Sequence, residues 1–444
     1  MNWPRRIWND VWSSFWFFPS VIVAVCMVFS AVMIEADAMT SDRLLAQWPR
    51  LFGAGATGAQ ALMSTIASSM MSVVGVTFSV VLVALALASS QYTSRILRNF
   101  IKSRTTQAIL GIFAGIFVYC LIVIRAIRSG DEGMFVPSIA VFVGVVLAIG
   151  SVGVLIFFIH HIASSIQASA IISSVATETI SAIDKLFPQQ LGREPGEDVE
   201  DPMQQTPPER KWRAVPVRES GYIQSVDYDA LLQVACEQRT IVRIERAIGE
   251  FAVEETALVS VALAGSLNRE TVTALQAAFS THCYRTVEQD VAFGIRQLVD
   301  VALKALSPGV NDVSTAITCV DYLTAILSRL ATRQIHSPHR YDDGELRVIA
   351  KGPSFEGLLT EACDQIRSSA SGNVAIMSRM LGALQTIGSL TTRPDRRRAL
   401  SEQVDLIDEL SGRTLQAIHD RSKMDEHLAH ARSALKNVPG LEQT

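Results

Sequence analysis

The chain has 444 residues, 49% of them hydrophobic and only 18% charged, against about 25% charged in an ordinary soluble chain; one small water-soluble domain is excluded. Residues 1–160 hold ten Lys/Arg and six Asp/Glu, a net of +4, and the remainder holds 29 and 37, a net of −8. That split argues against nucleic acid as a partner, and six scattered cysteines with no CxxC exclude a disulfide framework and a thiolate zinc site.

Arg50 and Arg95 enclose 44 residues without a charge, and Glu132 and Glu178 enclose 45 more, counting histidine as neutral. About 20 apolar residues cross a bilayer, and four stretches reach that length: 15–34, a run within 61–90, 106–124 and 135–159. Ala36-Asp37-Ala38 resembles a signal cleavage site. The span length of the first run and the Trp-rich stretch before it predict retention. Trp8, Trp12 and Trp16 fall four apart and read as interfacial anchors. Arg95, Arg98, Lys102 and Arg104 crowd one loop without an acid, whereas the other two loops are mixed, so both termini are expected in the cytosol. Glu35 and Arg125 sit at span ends, and no ionisable group lies mid-span, which disfavours proton pumps and voltage sensors.

The second span carries Ser64, Ser68, Ser72, Gly75 and Ser79 on one helical face. The third has Gly111-x-x-x-Gly115, and the fourth has Ala140, Gly144, Ala148 and Ser151 at the same spacing. Small faces let spans approach closely in lipid, where no hydrophobic drive brings helices together; the alternative is a hydroxyl-lined water or ion path. Past the fourth span, HHIASSIQASAIISSVATETISAIDKLF has no Gly or Pro and predicts an unbroken helix over 161–187. Ser165, Ser169, Ser173, Thr177 and Ser181 form a second hydroxyl stripe along it. Such hydroxyls can also bond back to their own helix and need no partner.

Residues 188–214 are Pro-rich and charged and read as a linker. GYIQSVD, TIVRIERAIGEF and ALVSVAL read as strands around a helix at about 228–237, a small β-rich module over 215–265. Residues 266–444 read as a helical cytoplasmic domain. Within it, Pro308 and Gly309 stop one helix, and Asn311 or Asp312 caps the next. This corner is a tight helix-turn-helix, or else a binding corner that the polar run Arg285, Glu288, Gln289 and Asp290 approaches. Leu400, Val404, Ile407 and Leu410 form an apolar stripe, and Arg396, Arg397 and Arg398 read as a solvated first turn able to meet anionic lipid. His427 and His430 fall at a spacing that arises by chance.

No GxSxG, GxxxxGK[ST] or HExxH occurs. One GxGxxG, Gly53 to Gly58, follows no strand and reads as a loop. Neither an enzyme nor a cofactor is expected.

SSQYTSRILRNF at 89–100, the small-residue span before it, RTVEQDVAFGIRQLVDVALKALSPGVND at 285–312 and STA at 314–316 together resemble a bacterial family of predicted membrane proteins, domain of unknown function 2254. The resemblance covers nearly the whole chain and implies four spans and a soluble C-terminal part, with no activity to carry over. The family's pattern places proline where Ser94 and Val313 stand here. The expected architecture is mostly α: four spans in residues 1–160, a long fourth helix extending into the cytosol, then the β-containing module and the helical domain. The expected protein is a multi-pass, homo-oligomeric channel or pore-like protein of the bacterial inner membrane with a cytoplasmic regulatory domain; the alternative is a non-conducting anchored scaffold or sensor.

Overall fold

The computed structural model describes residues 16–47, 55–91, 104–128, 135–187, 211–263, 265–335 and 338–436. They form two compact units, Met1–Ala170 and Ile171–Thr444. Trp8 and Trp12, the cationic loop 95–102, most of the motif at 89–100 and most of the linker lie outside the described residues.

Unit 1 contains helices α1 (Phe17–Gln47), α2 (Ala56–Gln91), α3 (Arg104–Ala126) and α4 (Ser138–Ser165). Their lengths of 31, 36, 23 and 28 residues all exceed what ~30 Å of hydrocarbon needs at 1.5 Å per residue. The first runs well past the expected end at 34 and takes in Asp37, Asp42 and Arg43, which the sequence reading assigned to a loop. Helix α3 is the centre of the unit: it packs against the other three, and half of its apolar window is buried. Its glycines explain why. A Cβ on Gly111 would stand 2.9 Å from Ile22 Cδ1 and 3.0 Å from the Pro19 backbone, and one on Gly115 would stand 2.6 Å from Cys26 Sγ. Gly144 brings α4 against Met63 of α2 in the same way. Met63, Phe113, Tyr119 and Phe158 fill the core these contacts leave.

Two polar contacts tie the unit's helices together. The Tyr119 hydroxyl donates to the Ala140 carbonyl at 2.8 Å. Asp37, fully buried, accepts the Ile139 and Ala140 amides at 2.7 and 3.1 Å. Pro137, at the N-cap position of α4, offers no side-chain cap, so a carboxylate on α1 satisfies amides that the helix start leaves orphaned.

The expected unbroken extension of the fourth span is interrupted. At Ile166–Gln167 the bonding tightens, with Gln167 N donating to Ser164 O and Ala170 N to Gln167 O. A separate helix α5 (Ala168–Leu186) follows. No Gly or Pro marks the break.

Unit 2 begins in α5 and continues with two sheets. Strands β1 (Lys211–Pro216), β5 (Ala257–Leu263), β3 (Val242–Ile244), β8 (Glu345–Ile349) and β7 (His339–Asp342) form one in that order; β4 (Phe251–Ala252), β2 (Gly221–Val226) and β6 (Phe279–His282) form the other. Among the described residues only the β3–β8 pairing is parallel. Helix α6 (Tyr228–Glu237) starts where Asp227 accepts the Ala230 amide. Ile223, Leu231, Val242, Val259 and Leu275 close the core over it. Helix α7 (Arg269–Ala277) precedes β6.

The sheets draw on more chain than the expected module at 215–265. Lys211–Ala214 belongs to β1 rather than the linker, and β6, β7 and β8 come from the stretch read as helical. The β7–β8 hairpin turns at Asp343-Gly344, both at positive φ, the conformation an Asp-Gly turn favours.

The rest is helical: α8 (Val291–Leu306), α9 (Val313–Ala331), α10 (Phe355–Ser369), α11 (Val374–Ser389), α12 (Pro394–Thr414) and α13 (Ile418–Lys436). Five described helices are long and apolar enough to cross a membrane: α1 to α4 and, the least apolar, α9.

Arg396 and Arg397 are not a solvated face. Both are buried, and only Arg398 is exposed. Arg396 donates to the Leu330, Ala331 and Arg333 carbonyls at the end of α9. Arg397 donates to Gly388 and Thr391 at the end of α11, and to Ala434 and Leu435 near the end of α13. Each guanidinium supplies several donors to carbonyls that helix C-termini leave without partners, at the end of the helix where positive charge is favoured.

Candidate functional site

The first candidate is the small face of α2. Its packed side holds Ala59, Met63, Ala67, Met70, Thr77 and Ala84, all buried. Ser64, Ser68, Ser72, Gly75 and Ser79 occupy the opposite side and are exposed in the single chain. A Cβ on Gly75 would meet nothing within 4 Å. Two of the hydroxyls nonetheless have partners: Ser72 donates to the Ser68 carbonyl at 3.1 Å and Ser79 to the Gly75 carbonyl at 2.9 Å. Thr65 and Ser69, beside the stripe, bond back in the same way. Towards the end of α2 the face continues into an open groove of about 620 Å³ shared with Ile162 and Ile166.

The second stripe does not form one rod. Ser165 closes α4 and donates to the His161 carbonyl at 2.7 Å. Ser169, Ser173 and Thr177 lie beyond the break on α5, where Thr177 donates to the Ser173 carbonyl at 2.8 Å. The face of α5 that packs within unit 2 is a different one, made of Ile172, Val175, Thr179 and Ile183. Thr179 fits against Gly294 of α8 so closely that a Cβ there would overlap its hydroxyl. Asp184 then anchors the helix end, with Arg329 at 2.7 Å and Arg333 at 2.6 Å. The hydrogen bond from Arg329, reinforced by Arg333, holds the Asp184 carboxyl below its ordinary range.

The third candidate, the corner between α8 and α9, is a helix-turn-helix. The Ser307 carbonyl accepts the Val310 and Asn311 amides, and Asp312 N donates to the Ala305 carbonyl. Asn311 takes the left-handed conformation the turn requires, with φ of 49°, while Gly309 does not. Asp312 caps α9: one carboxylate oxygen accepts the Thr315 amide at 3.0 Å and the other its hydroxyl at 2.6 Å. These bonds, the hydroxyl's first, lower the carboxyl below its ordinary range. Pro308, Gly309, Asn311 and Asp312 are all exposed.

The polar run does not approach this corner. Asp290 caps the other end of α8 by accepting the Phe293 amide, and Arg285 grips that same carboxylate. Sixteen residues of helix, ~24 Å at 1.5 Å each, separate the two places. Gln289 reaches instead to β2, accepting the Val226 amide.

Sequence reasoning missed Asp37, Arg396 and Arg397 as buried groups. The nearest signal was position: Asp37 follows a span, and the arginines follow Pro394, a residue that favours a helix start.

A family model matches residues 12–386, that of the predicted membrane proteins carrying domain of unknown function 2254. An uncharacterized protein of Mycobacterium bovis is 31% identical over 430 residues, which is 92% of this chain and 78% of the relative. Uncharacterized proteins from two strains of Mycobacterium tuberculosis match with the same identity and coverage. No solved structure matches the chain.

Proposed function

The chain belongs to this family of predicted membrane proteins, and on that premise we propose that it is a four-span protein of the bacterial inner membrane whose copies associate through the outward face of α2. Helices α1 to α4 are the spans in this reading. The cationic loop between α2 and α3 supports cytosolic termini, and unit 2 is then cytosolic. Helix α9 is assigned to unit 2, because it packs there and its Asp321 and Arg329 pair with Arg379 and Asp184.

One observation carries the association. Gly111, Gly115 and Gly144 are each filled by a neighbouring helix of the same chain, whereas a Cβ on Gly75, or on Gly150 and Gly153 of α4, would meet nothing within 4 Å, and the serines around Gly75 are exposed. In lipid a small face gains stability only against another helix, so the open, serine-lined face of α2 points to a second copy. The back-bonded hydroxyls of Thr65, Ser69, Ser72 and Ser79 support a dry interface, and with it a membrane-anchored scaffold or sensor that neither conducts nor catalyses. The conducting pore is the second reading. It is favoured by the exposure of four serines on one uncharged face.

Single cysteines at Ser68, Ser72 and Gly75, with all six native cysteines replaced, separate the two. Cross-linking between copies in native membranes, with no labelling by water-soluble thiol reagents, is the expected result. Labelling together with unitary currents in bilayers would establish the pore. Absence of cross-links at all three positions would remove the interface.

A further inference from the structure

We propose that unit 2 carries a binding site for a soluble organic phosphate of about nucleotide size. A cavity of about 580 Å³ opens among the end of α5, the start of α6, β7 and the starts of α8, α10 and α12. Its size lies within the range of small-molecule sites. All its lining residues belong to unit 2.

The charge of the wall is one-sided. Lys185, Arg340, Arg393 and Arg396 line it, with Asp395 the single carboxylate. Arg393 occupies Asp395, at 3.2 and 3.4 Å. Arg396 is spent on carbonyls and on the face of Phe355, 5.2 Å from its centroid. Arg340 lies 6.0 Å over the Tyr228 ring. Among the described residues, neither Lys185, Arg340 nor Arg396 has a carboxylate at ion-pair distance. Cations gathered around a partly enclosed space and left without counter-charge attract an anion, and arginine forks match phosphate geometry.

Two further features give the ligand its shape. The Val226 amide takes Gln289 Oε1, which leaves the amide Nε2 of this lining residue without a partner among the described residues, free to donate. Phe187, Ile248, Val291 and Ile335 make the remaining wall apolar, which suits an organic group attached to the phosphate and not a bare ion. Ser354 caps α10 with a neutral hydroxyl, so that helix brings its positive end to the wall. The inference does not depend on how α2 associates.

The test uses the full-length protein in nanodiscs of phosphatidylcholine, which supply no anionic headgroup. ATP, inorganic pyrophosphate and adenosine are titrated separately, with binding read by calorimetry. ATP is expected to bind, pyrophosphate more weakly, adenosine not at all, and the affinity should fall as salt rises. Arg340→Gln and the exposed Lys185→Gln should each weaken ATP by about tenfold. Should Arg340→Gln misfold, Lys185→Gln still decides, because a surface substitution leaves the fold intact. No binding of ATP or pyrophosphate at ~1 mM, or binding that Lys185→Gln does not change, would overturn the site.

Discussion

Both units bury charge, and they bury it at opposite ends of helices. In unit 1 the carboxylate of Asp37 meets the first amides of α4. In unit 2 the guanidinium groups of Arg396 and Arg397 meet the last carbonyls of α9, α11 and α13. The signs follow the backbone, whose helix starts present unpaired N–H groups and whose helix ends present unpaired C=O groups. A buried charge can therefore find partners in the backbone of a helix end.

The sharpest way to break this comparison is at Arg397, where one side chain serves two helix ends. Arg397→Met keeps most of the volume and removes every donor. We expect unit 2 to lose about 3 kcal/mol or more, since several buried carbonyls lose their partners together. Arg397→Lys should recover only part of that, because a single ammonium cannot span two helix ends as a planar fork does. Chemical denaturation followed by circular dichroism would measure both. Equal stability of the Met variant and the parent would mean that the carbonyls find other partners and that the comparison fails in unit 2.

Packing in unit 1 gives the next largest effect. Gly115→Leu drives a side chain into Cys26 and should cost about 1–3 kcal/mol of overpacking, seen as a lower melting temperature in detergent. Gly75→Leu enters open space and should leave the single chain's stability within about 0.5 kcal/mol. A large loss from the second substitution would show that the outward face of α2 is filled within one chain after all.

Asp37 tests the other half of the comparison. Asp37→Ala should cost about 1–2 kcal/mol, in the range of a lost N-cap. Asp37→Asn, which keeps an acceptor oxygen, should cost less. If Ala and Asn prove equivalent, the carboxylate's acceptor role is not what holds α4.

How much of this was legible beforehand depended on how local each signal is. The strands at 221–226 and 257–263, the helix at 228–237 and the cap at Asp312 are written in neighbouring residues, and all were readable. The apolar helices α1 to α4 were readable, except the far end of α1, which runs past the expected 34 and takes in charge. Asp343-Gly344 announced a hairpin that went unread because 266–444 as a whole reads as helical. The burial of Arg396 and Arg397 had no local signature: three arginines after a proline look solvated until three helix ends converge on two of them. The phosphate cavity is assembled from seven separate parts of unit 2, so no window of sequence contains it.

The smallest effect is a pH dependence at the helix ends of unit 2. Asp312 and Asp184 both have carboxyls held below their ordinary range, by Thr315 in the first case and by Arg329 with Arg333 in the second. A carboxyl whose pKa is lower folded than unfolded contributes stability above its unfolded value, ~3.9, and loses it as pH falls through the folded value. Stability owed to these two groups should therefore be level from neutral pH down to about 5 and decline below about 4. Both are largely solvent-exposed, so the decline should be shallow and weaker in high salt. Asp312→Asn retains the cap and should remove its share of the slope, and Asp184→Asn should remove the remainder. Denaturation midpoints between pH 7 and 3 would show it. A slope unchanged in the double variant would assign the acid sensitivity to other carboxyls and leave the capped corner with no electrostatic part in it.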